Sequence, residues 1–465
     1  MPHDAGSSSS SGDKHAGEQH HHHRHRSIAE RFGAVVTRTP AAVVPSFARS
    51  HREHHHAHDA GATDAAHPQP ESARHRLAAI AGQLASATSG AAQSLPQLPH
   101  RTLRRSDWSH MPAYADLPTE GGFSGCAWDV WGKGDELGTI NLLTPEVVSR
   151  TAREEIKSGV AISLNWALNM PDVPFFGRAC MQHSINAKTS PAYVERRSAS
   201  IARLNAAGHG VEDRSDPNDP SAAPLADDTV FMNTQSGTQI DGFRHFGHLG
   251  LNCYYQGVKQ ADLAFGKQDG SQGTQLGVQA WAQHGIQGRG VLIDVWGYFK
   301  QKNGGRDPWD PCTTFPITLA MLKEAARAQG VNRFHKGDIL LVRSGFIERY
   351  TSASGLEKQH WGQKGQERFA GLAQGEDMAE YLWNNHFAAV GGDAPAFESW
   401  PPPLGHSYLH ETLLGLFGLP ILEMVDLQAL AAHCAAQRRW TFFFSAWPLN
   451  LPGGVASPLN GSATF

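Results

Sequence analysis

Residues 234–245 read Thr234-Gln235-Ser236-Gly237-Thr238-Gln239-Ile240-Asp241-Gly242-Phe243-Arg244-His245. Gln235, Gln239, Asp241 and His245 stand at offsets 0, 4, 6 and 10. Every offset is even, so an extended chain turns all four to one face. On a helix, Asp241 and His245 would point away from the two glutamines. A straight strand from Gln235 to Asp241 would span about 20 Å, too far for one ion. The segment must therefore curl, and Gly237 and Gly242 supply the freedom to do so. Two amide oxygens, a carboxylate and an imidazole gathered this way form a hard-cation site. The competing reading is a loop whose polar groups are solvated or locally hydrogen-bonded.

Outward from this stretch, short apolar runs alternate with amphipathic ones. Thr144 and Pro145 open a helix over Pro145–Ser158 with Gly159 at its stop. Val160–Leu168 alternates like a half-buried strand, and residues 205–224, rich in Asp, Pro, Asn and Gly, read as a surface insertion. Strands follow at Val291–Val295, Asp338–Val342, Phe387–Val390, Ile421–Met424 and Thr441–Ser445. Helices fall between them at Ile317–Gln329, Glu376–His386, Ser407–Phe417 and, behind an Asp426 cap, Leu427–Arg438. This rhythm predicts an α/β layer fold.

The 465-residue chain has two textures. Residues 1–105 are rich in Ser, Ala, Gly, Pro and His, with runs at Ser7–Ser11, His20–His23 and His54–His56, and Phe32 and Phe47 are their aromatic residues. Such a stretch cannot bury enough apolar surface to offset the entropy of ordering it, so a disordered arm is expected there, with the folded domain at 106–465. The net charge of −4 and the lack of a dense Lys/Arg stripe argue against a nucleic-acid partner. No apolar run approaches the roughly 18 residues of a membrane span. The five cysteines are scattered and form no CxxC, which fits reduced thiols in a cytoplasmic protein.

Other catalytic motifs fall short. Ser344 has Val342 and Phe346 where a nucleophile elbow has glycines. His410-Glu411 begins like a zincin helix, but Leu414 occupies the place of the second His. Gly288-x-Gly290 lacks the third glycine of a dinucleotide loop and runs into a strand. The histidine runs of the arm read as compositional bias.

The signature resembles that of the cyclase or kynurenine formamidase-like metal hydrolases, His-x-x-x-His-x-Asp-x-x-x-His, with both leading histidines replaced by glutamine. A branch that includes trans-dienelactone hydrolase shares this replacement. Trp128–Asn141, Gly288–Val295, Gly337–Phe346 and Gly454–Pro458 are similar to that branch as well. The resemblance implies a cyclase-like core of the swivelling β/β/α type, a mixed sheet with flanking helices. It implies metal binding by Gln235, Gln239 and Asp241, with His245 as general acid/base. It adds a second ligand pair, a His and a Glu about a dozen residues apart, which His410 and Glu423 match. Glu423 lies within an apolar strand, where a carboxylate is costly unless paired or bound to a cation; a salt-bridged Glu423 and a surface His410 are the plain alternatives.

The implied chemistry is attack of a metal-activated water on a lactone, cyclic amide or aryl formamide, with His245 carrying the proton. Neutral glutamine oxygens make Mn²⁺ as suitable as Zn²⁺. The expected partner is a small-molecule substrate, in a pocket for which Trp128, Phe175 and Phe176 are candidate walls, and the family association implies a homodimer. The alternative is a non-catalytic metal- or ligand-binding descendant, made possible by the lost histidines.

Overall fold

The computed structural model describes residues 111–188, 190–213, 225–263 and 273–465. The expected arm and its boundary at 105 lie outside the described residues, as do residues 214–224 of the expected insertion.

In chain order the strands are β1 (Ala161–Ser163), β2 (Gln182–Ala187), β3 (Ala226–Phe231), β4 (Gln239–Asp241), β5 (Ile286–Asp294), β6 (Phe315–Ile317) and β7 (Ile339–Arg343). They continue with β8 (Ala370–Leu372), β9 (Ala389–Gly392), β10 (Ile421–Glu423), β11 (Thr441–Trp447), β12 (Ala456–Pro458) and β13 (Asn460–Thr464). Nine of these form one sheet in the order β1-β13-β11-β5-β7-β9-β10-β4-β12. Its centre, β5-β7-β9-β10, is parallel, and the pairings on either side are antiparallel. The α/β mixed sheet with flanking helices is thus as expected.

The parallel centre follows from composition. Ile339, Leu340, Leu341 and Val342 are buried on both faces, as a parallel strand covered by helices requires. Each such side chain contributes roughly 1.5–3 kcal/mol relative to exposure. Helix Pro145–Glu155 packs on β5 and β11, and helices Val295–Lys302 and Leu319–Ala328 pack on each other and on β7 and β5 respectively. Two of these starts are fixed by side-chain caps: Val147 N donates to Thr144 Oγ1 at 3.3 Å, the cap expected from the sequence, and Met321 N donates to Thr318 Oγ1 at 3.3 Å.

Two sequence readings are revised, and one stretch holds elements that the sequence reading did not place. The strand expected over 160–168 is reduced to β1, which pairs with β13. The helix expected at Ser407–Phe417 is a π-helical segment, Glu411–Phe417. The β2–β3 pair and the intervening helix Pro191–Ala206 occupy a stretch that gave no clear periodic signal, and both strands are exposed along their length.

Candidate active site

The curl demanded by the spacing is present. Gln239 and Asp241 lie two apart on β4 and are fully buried, while Gln235 sits in the preceding turn. Gly237 is required there, because a Cβ would come within 2.6 Å of the Met170 carbonyl oxygen. Thr238 pins the curl: its Oγ1 donates to Met424 O at 2.6 Å and accepts from Trp166 N at 2.9 Å. His245 follows in a turn closed by its own N–H on Gly242 O at 2.9 Å.

The sheet supplies the second half. β4 runs antiparallel to β10, with Gln239 opposite Glu423. Gln239 Nε2 donates to Glu423 Oε2 at 2.8 Å and to Asp241 Oδ1 at 3.1 Å. Gln235 Nε2 donates to the same Asp241 Oδ1 at 2.7 Å and lies 3.0 Å from His245 Nδ1. His410, at the start of the π segment, is buried, with Nε2 at 3.1 Å from Glu423 Oε1. All six residues singled out from the sequence therefore converge. The surface placement of His410 is excluded, and Glu423 is paired.

Three further residues, Glu398, Gln374 and Arg178, complete the cluster and were not anticipated. Glu398, fully buried, places Oε1 2.7 Å from His410 Nδ1 and accepts the backbone N–H groups of His410 and Leu409 at 3.0 and 2.9 Å. Gln374 Nε2 donates to its other oxygen at 2.7 Å. A lone carboxylate within Ala394–Trp400 was the available signal, the same one that marks Glu423. Arg178 Nη1 donates to Gln235 O at 2.8 Å and to Gln239 Oε1 at 3.4 Å.

Of the candidate aromatic walls, Trp128 is tied elsewhere by Nε1 to Gly415 O at 2.8 Å. Phe175 is core, packed against Phe346, Tyr350 and Phe369. Phe176 is half-buried and lies under the Arg178 guanidinium.

Burial sets the protonation. It pushes Glu423 up to about 7, reinforced by the Asp241 charge and opposed by His410. It also lowers His245 to about 4, against the pull of Asp241, so this imidazole is neutral at neutral pH. In His410 burial works against the charged form, but Glu398 and Glu423 outweigh it and hold the ring well above the ordinary histidine range.

The donor set fits a cation. Asp241, His245 and His410 offer ligand atoms within 4.8 Å of one another. Among the described residues Asp241 Oδ2 is buried with no hydrogen-bond partner, although Oδ1 has two. A lone carboxylate oxygen left bare in a buried site is costly unless a positive charge faces it.

Residues 144–399, more than half of the chain, match the Cyclase family. The chain belongs to the cyclase family. The match includes the Gln235–His245 signature and Glu398 and ends before His410 and Glu423. The crystal structure of a novel cyclase is similar at 28% identity and a TM-score of 0.58, over 73% of this chain and 99% of that one. Isatin hydrolase A from Labrenzia aggregata, bound to benzyl benzoate, aligns at 15% identity and a TM-score of 0.40, over 68% and 97%. A predicted metal-dependent hydrolase from Bacillus stearothermophilus aligns at 15% and 0.33, over 66% and 98%. No curated protein matches the sequence. Among the described residues, no helix is long and apolar enough to cross a membrane.

Proposed function

We propose that this cyclase-family protein is a metal-dependent hydrolase of a lactone, cyclic amide or aryl formamide, in the glutamine-bearing branch that includes trans-dienelactone hydrolase. The observation that carries the reading is the bare Asp241 Oδ2 in a buried cluster with His245 and His410. Asp241, Glu423 and His410, the last giving up its Nε2 proton as the ion enters, would hold Zn²⁺ or Mn²⁺ with Gln235 and Gln239. When bound, such an ion supplies Lewis acidity to a carbonyl and lowers the pKa of water towards roughly 7.

The chain's own groups then divide the work. Gln235 and Gln239 now turn their amide nitrogens to the carboxylates; half a turn about the terminal torsion presents the oxygens instead. With Gln235 turned, its Oε1 accepts His245 Nδ1–H, which leaves Nε2 free. The neutral imidazole can take a proton there from the attacking water and return it to the leaving oxygen or nitrogen. Glu398 fixes the His410 ring through Nδ1, so that Nε2 faces the site.

A non-catalytic descendant remains the second reading, favoured by the way the two amide nitrogens meet Asp241 Oδ1 and Glu423 Oε2 without an ion. A panel of lactones, cyclic amides and aryl formamides, assayed after chelation and after reconstitution with Mn²⁺ or Zn²⁺, separates the two. Metal-dependent opening of one class supports the hydrolase; ion binding with no turnover on any class supports the descendant. A small-molecule substrate, a homodimer and a cytoplasmic location belong to the same proposal, and light scattering on the purified chain tests the dimer.

A further inference from the structure

Glu411, the residue after His410, has no part in the chemistry above, yet it is buried beside it. Its carboxylate divides between two backbones: Oε2 accepts Leu249 N–H at 2.9 Å and Oε1 accepts Tyr408 N–H at 3.2 Å. Leu249 lies four residues past His245, and Tyr408 two before His410. One side chain thus ties the segment leaving the proton carrier to the segment entering the ligand ring. Hydrogen bonds to a carboxylate are roughly twice as strong as neutral ones. Gly415 lets the two backbones meet, since a Cβ there would stand 3.0 Å from His248 N.

His248 does not take the carboxylate for itself. Its Nδ1 accepts Leu251 N–H at 3.2 Å, so it carries no proton there, and it lies 3.9 Å from Glu411 Oε2, beyond hydrogen-bond reach. The two histidines of the site are held unequally. His410 has a second tether, Glu398, at both its backbone N–H and its Nδ1. Past His245, the Leu249 N–H is the polar link, among the described residues, from residues 246–251 to the Glu411 carboxylate. Leu249 is itself 61% exposed, so apolar packing does not fix it. Release of the carboxylate should therefore move His245 and leave His410 in place.

We propose that Glu411 is a positioning residue, which clamps Leu249 to Tyr408 and so holds the His245 imidazole in register with Asp241 and His410. Its part in turnover rests on the hydrolase reading above; the clamp itself does not.

The test compares Glu411→Gln with wild type in the full chain. Glutamine keeps the shape but brings one acceptor oxygen in place of two, so one N–H is left facing an NH₂ group. Amide hydrogen exchange, read by mass spectrometry, should speed up roughly 10–100-fold in peptides that contain Leu249 or Tyr408, the range lost with a hydrogen bond to a charged group. Peptides of β7 should exchange as in wild type, and Mn²⁺ affinity should be kept, because Glu398 still holds His410. On any substrate found by the lactone, amide and formamide panel, kcat should fall roughly 10–100-fold with KM unchanged, the scale of a misplaced reacting group. In a His245→Ala background the same substitution should cost nothing further, since a residue acting through His245 has nothing left to position. Exchange equal to wild type at Leu249 and Tyr408 overturns the proposal, as does faster exchange that extends to β7. A further loss of kcat in the His245→Ala background overturns it too, and so does a fall in Mn²⁺ affinity as large as the fall in kcat. Should Glu411→Gln fail to fold, the same measurements on Glu411→Asp, whose oxygens sit one methylene short of both N–H groups, decide instead. Faster exchange in the two segments without turnover on any class would sink the hydrolase reading and leave the clamp standing.

Discussion

Gln239 and Glu423 face each other across the β4–β10 pair, and the Gln239 amide nitrogen donates to Glu423 Oε2 at 2.8 Å. That one contact joins the signature to the second ligand pair, and it fixes what each substitution should do.

Asp241→Ala should cost the most metal. It removes the carboxylate to which both glutamine amides are tied and the oxygen that has no other partner. Gln239→Ala should weaken binding less, with activity partly restored by excess Mn²⁺ or Zn²⁺. Metal content is read as the difference from wild type in the same full chain, because the histidine runs of residues 20–23 and 54–56 contribute equally to both. Metal content unchanged in Asp241→Ala would remove it from the ligand set.

His245→Ala should retain metal yet lose turnover by roughly 10²–10⁴-fold, the contribution of a positioned proton-transfer group. Loss of metal would make His245 a ligand instead, in line with its place beside Asp241 and His410. A lower Tm with turnover per folded molecule unchanged would leave it a hydrogen-bonded structural residue.

Glu398→Gln tests the support of His410. The amide can still accept from backbone N–H, but it no longer balances the imidazole charge or fixes the ring's tautomer. A loss of roughly 10–100-fold in metal affinity or activity is expected, the scale of such outer partners. An affinity and rate equal to wild type would confine Glu398 to capping the chain at Leu409 and His410.

His386 lies away from the site and gives a stability signature in acid. Burial, with Lys336 adding to it, lowers its pKa to about 4, and its Nδ1 is buried without a partner among the described residues. An unfolded histidine titrates near 6.5. Above that pH both states are neutral and the stability contribution is complete. As pH falls from about 6.5 towards 4, the unfolded chain takes up a proton that the folded chain refuses, and stability falls. His386→Asn tolerates the left-handed backbone at φ 50° and cannot titrate. Its Tm should therefore decline less over that window than that of wild type; parallel declines would show that His386 is not buried as described.

The signature was legible because its information is local. Even spacing together with Gly237 dictates a curled face, and that face exists. Apolar runs such as Ile339–Val342 announced the sheet centre for the same reason. What escaped depends on contacts distant in sequence. Arg178 reaches Gln239 across 61 positions, and Glu398 is defined by a ring 12 residues on. Helix Pro191–Ala206 buries Val194 and Ile201, too few apolar positions to mark a periodic face. The π segment was read as a longer α-helix because Tyr408 and Leu409 continue its apolar pattern, whereas Glu398 takes the backbone N–H groups of Leu409 and His410.

The Gln239–Glu423 contact spans 184 residues of chain, and β1 meets β13 with Ala161 opposite Thr464. Pairings so remote are reached only after large loops have closed, which makes folding slow. The two halves of the site stay apart until β10 docks beside β4. A signal from that cluster during refolding would therefore serve as a clock for closure of the sheet, starting later than the formation of helices such as Leu319–Ala328.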